Sequence, residues 1–360
     1  MLRFTPLIAL IILGGLAGCT PDAPPLAPYH SNGALRQNLD PVLWANFRAR
    51  FIEGGRVFDR DNEGITHSEA QGYGLLLAEA GNDPATFATL WAWTSETLMR
   101  PDGLFAWRFG PCLGREGDCI TDDNNASDAE ILIAWALLRA GQRWGSKEYT
   151  LAASRITTAV ADKLVTRQHD RLLLRSGLFG FEDTSSITVN PSYWVFPALD
   201  AFADAFPQGP WRELATAGRK LIDDARFGAH QLPPDWVDVG PDGLKPSERF
   251  DPVFGYNAIR VPLHLVWSRE PVAAHSLAAF VAWWSDPAAA SAPRAWVNLE
   301  SGESAPYAWS TGMQAIAVLT LARAGAHPLQ VANLPVPTDE DGYFSSSLTL
   351  LAHLAAMEAR

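Results

Sequence analysis

The chain of 360 residues carries 28 basic and 40 acidic residues, a formal net charge of −12, and fourteen tryptophans. That length holds one large domain with a sizeable core, and the acidic balance excludes a surface built to neutralise phosphates, so no nucleic-acid partner is expected. A neutral glycan suits the charge, and the tryptophan excess favours a carbohydrate ligand, because indole faces stack on sugar rings as well as fill cores.

The N-terminus reads as an export signal. Arg3 precedes an apolar run from Leu7 to Leu13 that is too short for a comfortable membrane span. It closes on Leu16-Ala17-Gly18-Cys19, which resembles the lipobox of bacterial lipoproteins, where the signal is cut before the cysteine that takes the lipid. The plainer alternative is a secretory signal with an incidental Cys19. Thr20 after the cysteine, in place of Asp, resembles the outer-membrane sorting pattern. Residues 19–38 hold Pro21, Pro24, Pro25 and Pro28 and read as a tether. Residues 39–360 form the domain.

Nearly every strong segment after the tether has helical period. The spacing predicts helices over 40–53, 70–80, 84–99, 127–144, 147–165, 192–206, 210–226, 256–269, 272–285, 307–325 and 344–359. Their character alternates. Residues 127–144 contain Ile131-Leu132-Ile133-Ala134-Trp135-Ala136-Leu137-Leu138, apolar all round and therefore buried all round. Residues 147–165 keep Ala152, Ala153, Ile156, Val160 and Leu164 on one stripe and charges elsewhere, the pattern of a helix with one wet side. The fold class is all-α, and the alternation predicts a toroid of helical hairpins. Strand signals are few, with short extended pieces expected in the Pro- and Gly-rich loop 228–255.

Two carboxylates stand out. Glu69 lies in Gly64-Ile65-Thr66-His67-Ser68-Glu69-Ala70-Gln71-Gly72-Tyr73-Gly74, and Asp128 in Ala126-Ser127-Asp128-Ala129-Glu130. Carboxylates among aromatic residues in a Trp-rich helical chain suggest hydrolysis of a polysaccharide. Each also has an ordinary reading. Thr66 and Glu69 fit a capping box for the helix over 70–80, and Ser127 or Asp128 fits a cap for the helix over 127–144. If Glu69 is an acid, Tyr73 and Trp107 are the neighbours expected to bury it. The eight histidines include no His-Glu-x-x-His pair and no zinc-ligand spacing, and there is no phosphate loop, so neither metal nor cofactor is expected. In an exported chain, Cys112 and Cys119 are expected to close a small disulfide loop, with two free thiols as the alternative.

Taken together these segments resemble glycoside hydrolase family 8, and within it the periplasmic endoglucanases found with bacterial cellulose synthesis. The likeness runs from about Trp44 to Leu351 through Ser68-Glu69-Ala70-Gln71-Gly72-Tyr73-Gly74, Pro101-Asp102-Gly103-Leu104-Phe105-Ala106-Trp107, Ala126-Ser127-Asp128, Asn190-Pro191-Ser192-Tyr193-Trp194 and Gly255-Tyr256-Asn257-Ala258-Ile259-Arg260-Val261-Pro262. The resemblance implies an (α/α)6 toroid and endo-acting, inverting hydrolysis of β-1,4-glucan. It makes Glu69 the proton donor and Asp128 the residue that holds the central sugar. Trp107, Tyr193, Asn257 and Arg260 are then expected to bind substrate. It also implies a periplasmic location and a link to the cellulose synthase machinery, to which the lipobox and Thr20 add an outer-membrane lipid anchor. Two positions depart from the family pattern. Glu130 stands where the signature usually has Asp, and Asn257 where many members have an Asp assigned as general base. An amide cannot take a proton from water. Asp128 is then the substitute base, followed by Asp251 and Glu248; the alternatives are a glycan-binding lipoprotein, or a hydrolase of xylan, chitosan or mixed-linkage glucan.

Overall fold

Eleven α-helices and twelve short strands form among residues 38–286, 293–325 and 333–358, the part of the chain that the computed structural model describes. The signal segment, Cys19 and nearly all of the tether lie outside the described residues. The helices are α1 (Pro41–Phe51), α2 (Ser68–Ala80), α3 (Pro84–Thr97), α4 (Ser127–Trp144), α5 (Lys147–Lys163), α6 (Phe196–Ala205), α7 (Trp211–Asp224), α8 (Arg260–Trp267), α9 (Ala274–Ser285), α10 (Thr311–Arg323) and α11 (Tyr343–Glu358).

Apolar faces decide where each helix sits. In α2, α4 and α8 almost every residue is buried, whereas α3 and α5 bury only one stripe. The buried helices close a ring: α2 packs on α4, α4 on α6, α6 on α8, α8 on α10, α10 on α11, and α11 returns to α2. Among the described residues, α1, α3, α5, α7 and α9 stand outside that ring of six. This is the toroid of helical hairpins that the alternation predicts, in the (α/α)6 form that the resemblance implies.

Local chemistry sets the boundaries. Asp40, Asp83, Ser146 and Ser310 accept hydrogen bonds from first-turn amides of α1, α3, α5 and α10. Three predicted helices start four residues late, among them 307–325, which begins at Thr311 after its cap Ser310. Residues 192–206 break into a 3-10 turn, Pro191–Tyr193, before α6 starts beside Pro197. Residues 256–259 form a turn ahead of α8, because Asp235 Oδ1 takes the amides of Gly255 (3.0 Å) and Ala258 (2.7 Å).

Close approach in the ring depends on glycine. A Cβ on Gly312 of α10 would lie 2.5 Å from the Ser345 carbonyl oxygen and 2.7 Å from Leu348 Cβ on α11. Gly312→Ala is therefore expected to cost about 1–3 kcal/mol by overpacking, measured by denaturant unfolding.

The strands exceed the few that were expected. They pair antiparallel as β1 (Ile52–Glu53) with β2 (Arg56–Val57), as a sheet in the order β3 (Thr66–His67), β4 (Arg108–Pro111), β5 (Asp118–Asp122), as β6 (Val165–Gln168) with β7 (Arg171–Leu174), as a sheet in the order β8 (Ile187–Val189), β9 (Val237–Gly240), β10 (Gly243–Pro246), and as β11 (Val253–Phe254) with β12 (Val297–Asn298). Cys112 and Cys119, joined by a disulfide with Cα atoms 5.5 Å apart, brace the β4–β5 hairpin. β3 runs into α2, β8 leads to α6 and β11 leads to α8, so these small sheets build the rim where the inner helices begin.

Candidate active site

One mouth of the ring gathers helix N-termini. Glu69 is the second residue of α2, Asp128 the second of α4, Arg260 the first of α8 and Tyr343 the first of α11; Tyr193 lies in the turn ahead of α6. Helix N-termini favour carboxylates and disfavour a cation. A guanidinium at the start of α8 therefore needs anionic partners, and it has them. Arg260 Nη1 donates to Glu69 Oε1, to Asp128 Oδ2 at 3.0 Å and to the Tyr73 hydroxyl at 3.2 Å, while Nη2 donates to Asn257 Oδ1 at 2.8 Å. The Tyr73 hydroxyl in turn donates to Glu69 Oε1 at 3.2 Å.

Neither capping reading survives. Thr66 belongs to β3, where its hydroxyl donates to the Val57 carbonyl and accepts from Arg56 Nε. His67 caps α2 instead, its Nδ1 accepting from the Ala70 amide at 3.2 Å. Glu69 is thereby freed to face Arg260 and Tyr73. No side chain caps α4, and Asp128 Oδ1 accepts from the adjacent Ala129 amide at 2.9 Å.

Exposure separates the roles. The Glu69 side chain keeps 16% of its surface, against 3% for Asp128 and 4% for Arg260. Glu69 is the most exposed of the three. Arg260, expected as an anchor for sugar, is turned inward and occupied by the two carboxylates and Asn257. Tyr193 is half-buried, 5.7 Å from the Arg260 guanidinium carbon, and meets the Trp236 ring edge-on at 6.0 Å. Trp107 is half-buried on the neighbouring segment; its carbonyl accepts the Ser68 amide at 2.9 Å and its amide donates to Asn124. It is thus pinned beside the first residue of α2 but has no recorded bond to the cluster. Of the other acids considered as a base, Asp251 is exposed and Glu248 pairs with Lys245 at 2.6 Å. Asp128 itself stands too close: two oxygens bonded to one nitrogen lie within about 6 Å of each other, short of the ~6.5–9.5 Å that admits a water between acid and base.

Glu130 turns its extra methylene to use. Its Oε1 accepts the Phe105 amide at 3.1 Å and its Oε2 the Asn125 side chain at 3.3 Å, fixing the segment that carries Trp107. Sequence reasoning missed Asp235. It lies in Pro233-Pro234-Asp235-Trp236, and only the fold brings it to Asn257, whose Nδ2 meets its Oδ2 at 3.5 Å. Trp236 stacks between Phe181 and Phe250, with centroids at 5.4 and 4.4 Å, an aromatic surface equally invisible in sequence.

Burial pushes the Asp128 carboxyl up to about 7 and the Glu130 carboxyl up to about 8, against hydrogen bonds that oppose the shift. Burial lowers Arg260 to about 10, which leaves it charged at neutral pH. The Asp128 carboxyl therefore holds its proton up to about neutral pH. Both raised carboxyls bind protons more tightly folded than unfolded. Their stabilisation is full below the unfolded values near 4 and is lost as pH rises through about 7–8. Thermal melts are expected to fall between about pH 5 and about pH 8.5, and Glu130→Gln should flatten that fall.

Buried carboxylates, a shared cation and aromatic rings at the mouth of a helical toroid are the equipment of a polysaccharide hydrolase. The family model of glycosyl hydrolases family 8 matches residues 30–358, and the chain belongs to that family. It is 38% identical over 285 residues to an endoglucanase of Cellulomonas uda, covering 78% of this chain and 77% of that one. The fold matches the crystal structure of a family 8 endoglucanase from Klebsiella pneumoniae at a TM-score of 0.81 and 37% identity, over 89% of this chain and 100% of the other. An endo-β-1,4-glucanase from Acetobacter xylinum matches with a TM-score of 0.81 and 35% identity, over 89% and 98%.

Proposed function

We propose that the protein is an endo-acting β-1,4-glucanase that cleaves its polymer with inversion of the anomeric carbon. The carrying observation is Glu69, a carboxyl held by Arg260 and Tyr73 yet open to the mouth, in a chain whose relatives at 35–38% identity are named endoglucanases. Glu69 protonates the leaving glycosidic oxygen, and a water attacks the anomeric carbon from the opposite face. Asp128, immobile and backed by Arg260, orients the sugar. Trp107 and Tyr193 offer rings for stacking, and Asn257 offers its amide to the ligand side.

The Leu16-Ala17-Gly18-Cys19 motif supports export and lipid anchoring at Cys19, hence a periplasmic site on the outer membrane and a place in cellulose synthesis beside the synthase machinery. Asn257 favours a second reading, a glycan-binding lipoprotein with little turnover. The two are separated by incubating carboxymethylcellulose, xylan, chitosan and mixed-linkage glucan with the domain from residue 39 onward. An endo-glucanase drops the viscosity of carboxymethylcellulose far ahead of reducing-end release and yields α-anomers first. Binding without viscosity loss on any polymer would support the second reading.

A further inference from the structure

Inversion needs a group to receive the proton of the attacking water, and the position where the family pattern has an Asp carries the Asn257 amide. The surrounding hydrogen bonds fix how that amide points. Arg260 Nη2 is only a donor, so the atom it meets at 2.8 Å is the Asn257 oxygen. Asn190 Nδ2 donates to the same oxygen at 3.0 Å, and Asn190 is itself held in that orientation by the Ser192 amide and hydroxyl on its Oδ1, at 3.0 and 2.7 Å. Asn257 Nδ2 therefore faces away from the guanidinium, toward Asp235 Oδ2 at 3.5 Å. An amide nitrogen carries two hydrogens, and one remains for a water.

Asp235 is built to stay put. Its Oδ1 is clamped by the amides of Gly255 and Ala258, which leaves Oδ2 as the oxygen turned to Asn257. It joins the cluster through Asn257, whereas Asp128 shares Arg260 Nη1 directly with Glu69, and an inverting mechanism needs a base set apart from the acid. Its neighbour Trp236 meets Tyr193, which places the segment beside the mouth.

We propose that Asp235 is the general base, taking a proton from a water that Asn257 Nδ2 holds beside it. This rests on the inverting glycosidase reading above. The water accepts a hydrogen bond from Asn257 and donates one to Asp235 Oδ2. As its oxygen bonds to the anomeric carbon, its proton passes to Asp235. The bond to the leaving sugar breaks, and that electron pair takes the proton of Glu69. Both carboxyl groups then return to their starting states by exchange with solvent. Burial raises the Asp235 carboxyl above the ordinary value, partly offset by the amides on it, which strengthens it as a base.

The test compares the parent domain with Asp235→Asn, Asn257→Asp and the double variant Asp235→Asn/Asn257→Asp, using carboxymethylcellulose and a soluble cello-oligosaccharide. Asp235→Asn keeps the backbone clamp and should fold, as its melting curve will report. It should lose about 10²–10⁴-fold in kcat with KM nearly unchanged. Azide should restore turnover, and the double variant should regain activity because a carboxylate again adjoins the water. Asn257→Asp alone sets two carboxylates side by side, so the acid limb of its pH profile should move upward. An Asp235→Asn protein within about threefold of the parent, where loss of a base costs about 10²-fold or more, would overturn the assignment. So would an unmoved acid limb in Asn257→Asp, which remains readable if Asp235→Asn does not fold. A parent that fails to cleave either glucan would instead remove the glucanase reading on which the assignment stands.

Discussion

Glu69→Gln is expected to lower kcat on carboxymethylcellulose by at least about 10³-fold while leaving KM nearly unchanged, since general acid catalysis contributes about 10²–10⁴ and unactivated sugars are poor leaving groups. Glutamine matches the shape of Glu69 and its oxygen can still accept from Arg260 and Tyr73, so the fold should be undisturbed. What it cannot do is release a proton to the glycosidic oxygen. The loss should shrink sharply on a substrate with an activated aryl leaving group, which departs without protonation. Arg260 at first looks hostile to this role, because a guanidinium favours an ionised carboxylate. It is shared, however, between Glu69 and Asp128, so its charge does not fall on Glu69 alone. A Glu69→Gln protein with unaltered turnover on the polymer would eliminate the mechanism.

Helix type was legible wherever a long apolar run made burial unambiguous. Residues 127–144 are α4 to the residue, and 147–165 overshoots α5 only at its end. The short pieces expected in 228–255 are β9, β10 and β11, whereas the other strands were missed because pieces of two to five residues are too short to display a period of two. The capping box at Thr66 and Glu69 was a reasonable local reading, but β3 claimed Thr66 and Arg260, 191 residues away in sequence, claimed Glu69. Asp235 shows the same limit. A lone acid between Pro234 and Trp236 carries no pattern, and it gains meaning only when the turn before α8 wraps its amides around it. Glu69 and Asp128 were found through their neighbours in sequence; Arg260, the group that joins them, comes from another helix.

The opposite end of the ring is held by charge as well, and there the expected effect is on stability. Glu79, fully buried near the end of α2, accepts from Arg139 Nε and Arg143 Nε of α4, each at 2.6 Å. Arg139 also donates through Nη1 and Nη2 to Glu358 at the end of α11, at 2.9 and 2.6 Å, and Trp267 at the end of α8 donates to the same carboxylate at 3.0 Å. Four of the six inner helices meet on this network. Arginines suit helix C-termini, whereas carboxylates there are opposed by the dipole and depend on the arginines. Arg139→Met keeps most of the volume over the Trp135 ring but strips a buried carboxylate of a partner and unties Glu358. Breaking a buried pair in this way costs about 3–5 kcal/mol, which denaturant unfolding will measure. The double variant Glu79→Leu/Arg139→Met should recover much of the loss, because an apolar filling removes the stranded charge along with its partner. Because the catalytic cluster occupies the other mouth, the single variant should retain its turnover at temperatures below its lowered transition. A loss under about 1 kcal/mol, the level of an exposed pair, would mean that the network is solvated and that apolar packing alone holds the ring closed at this end.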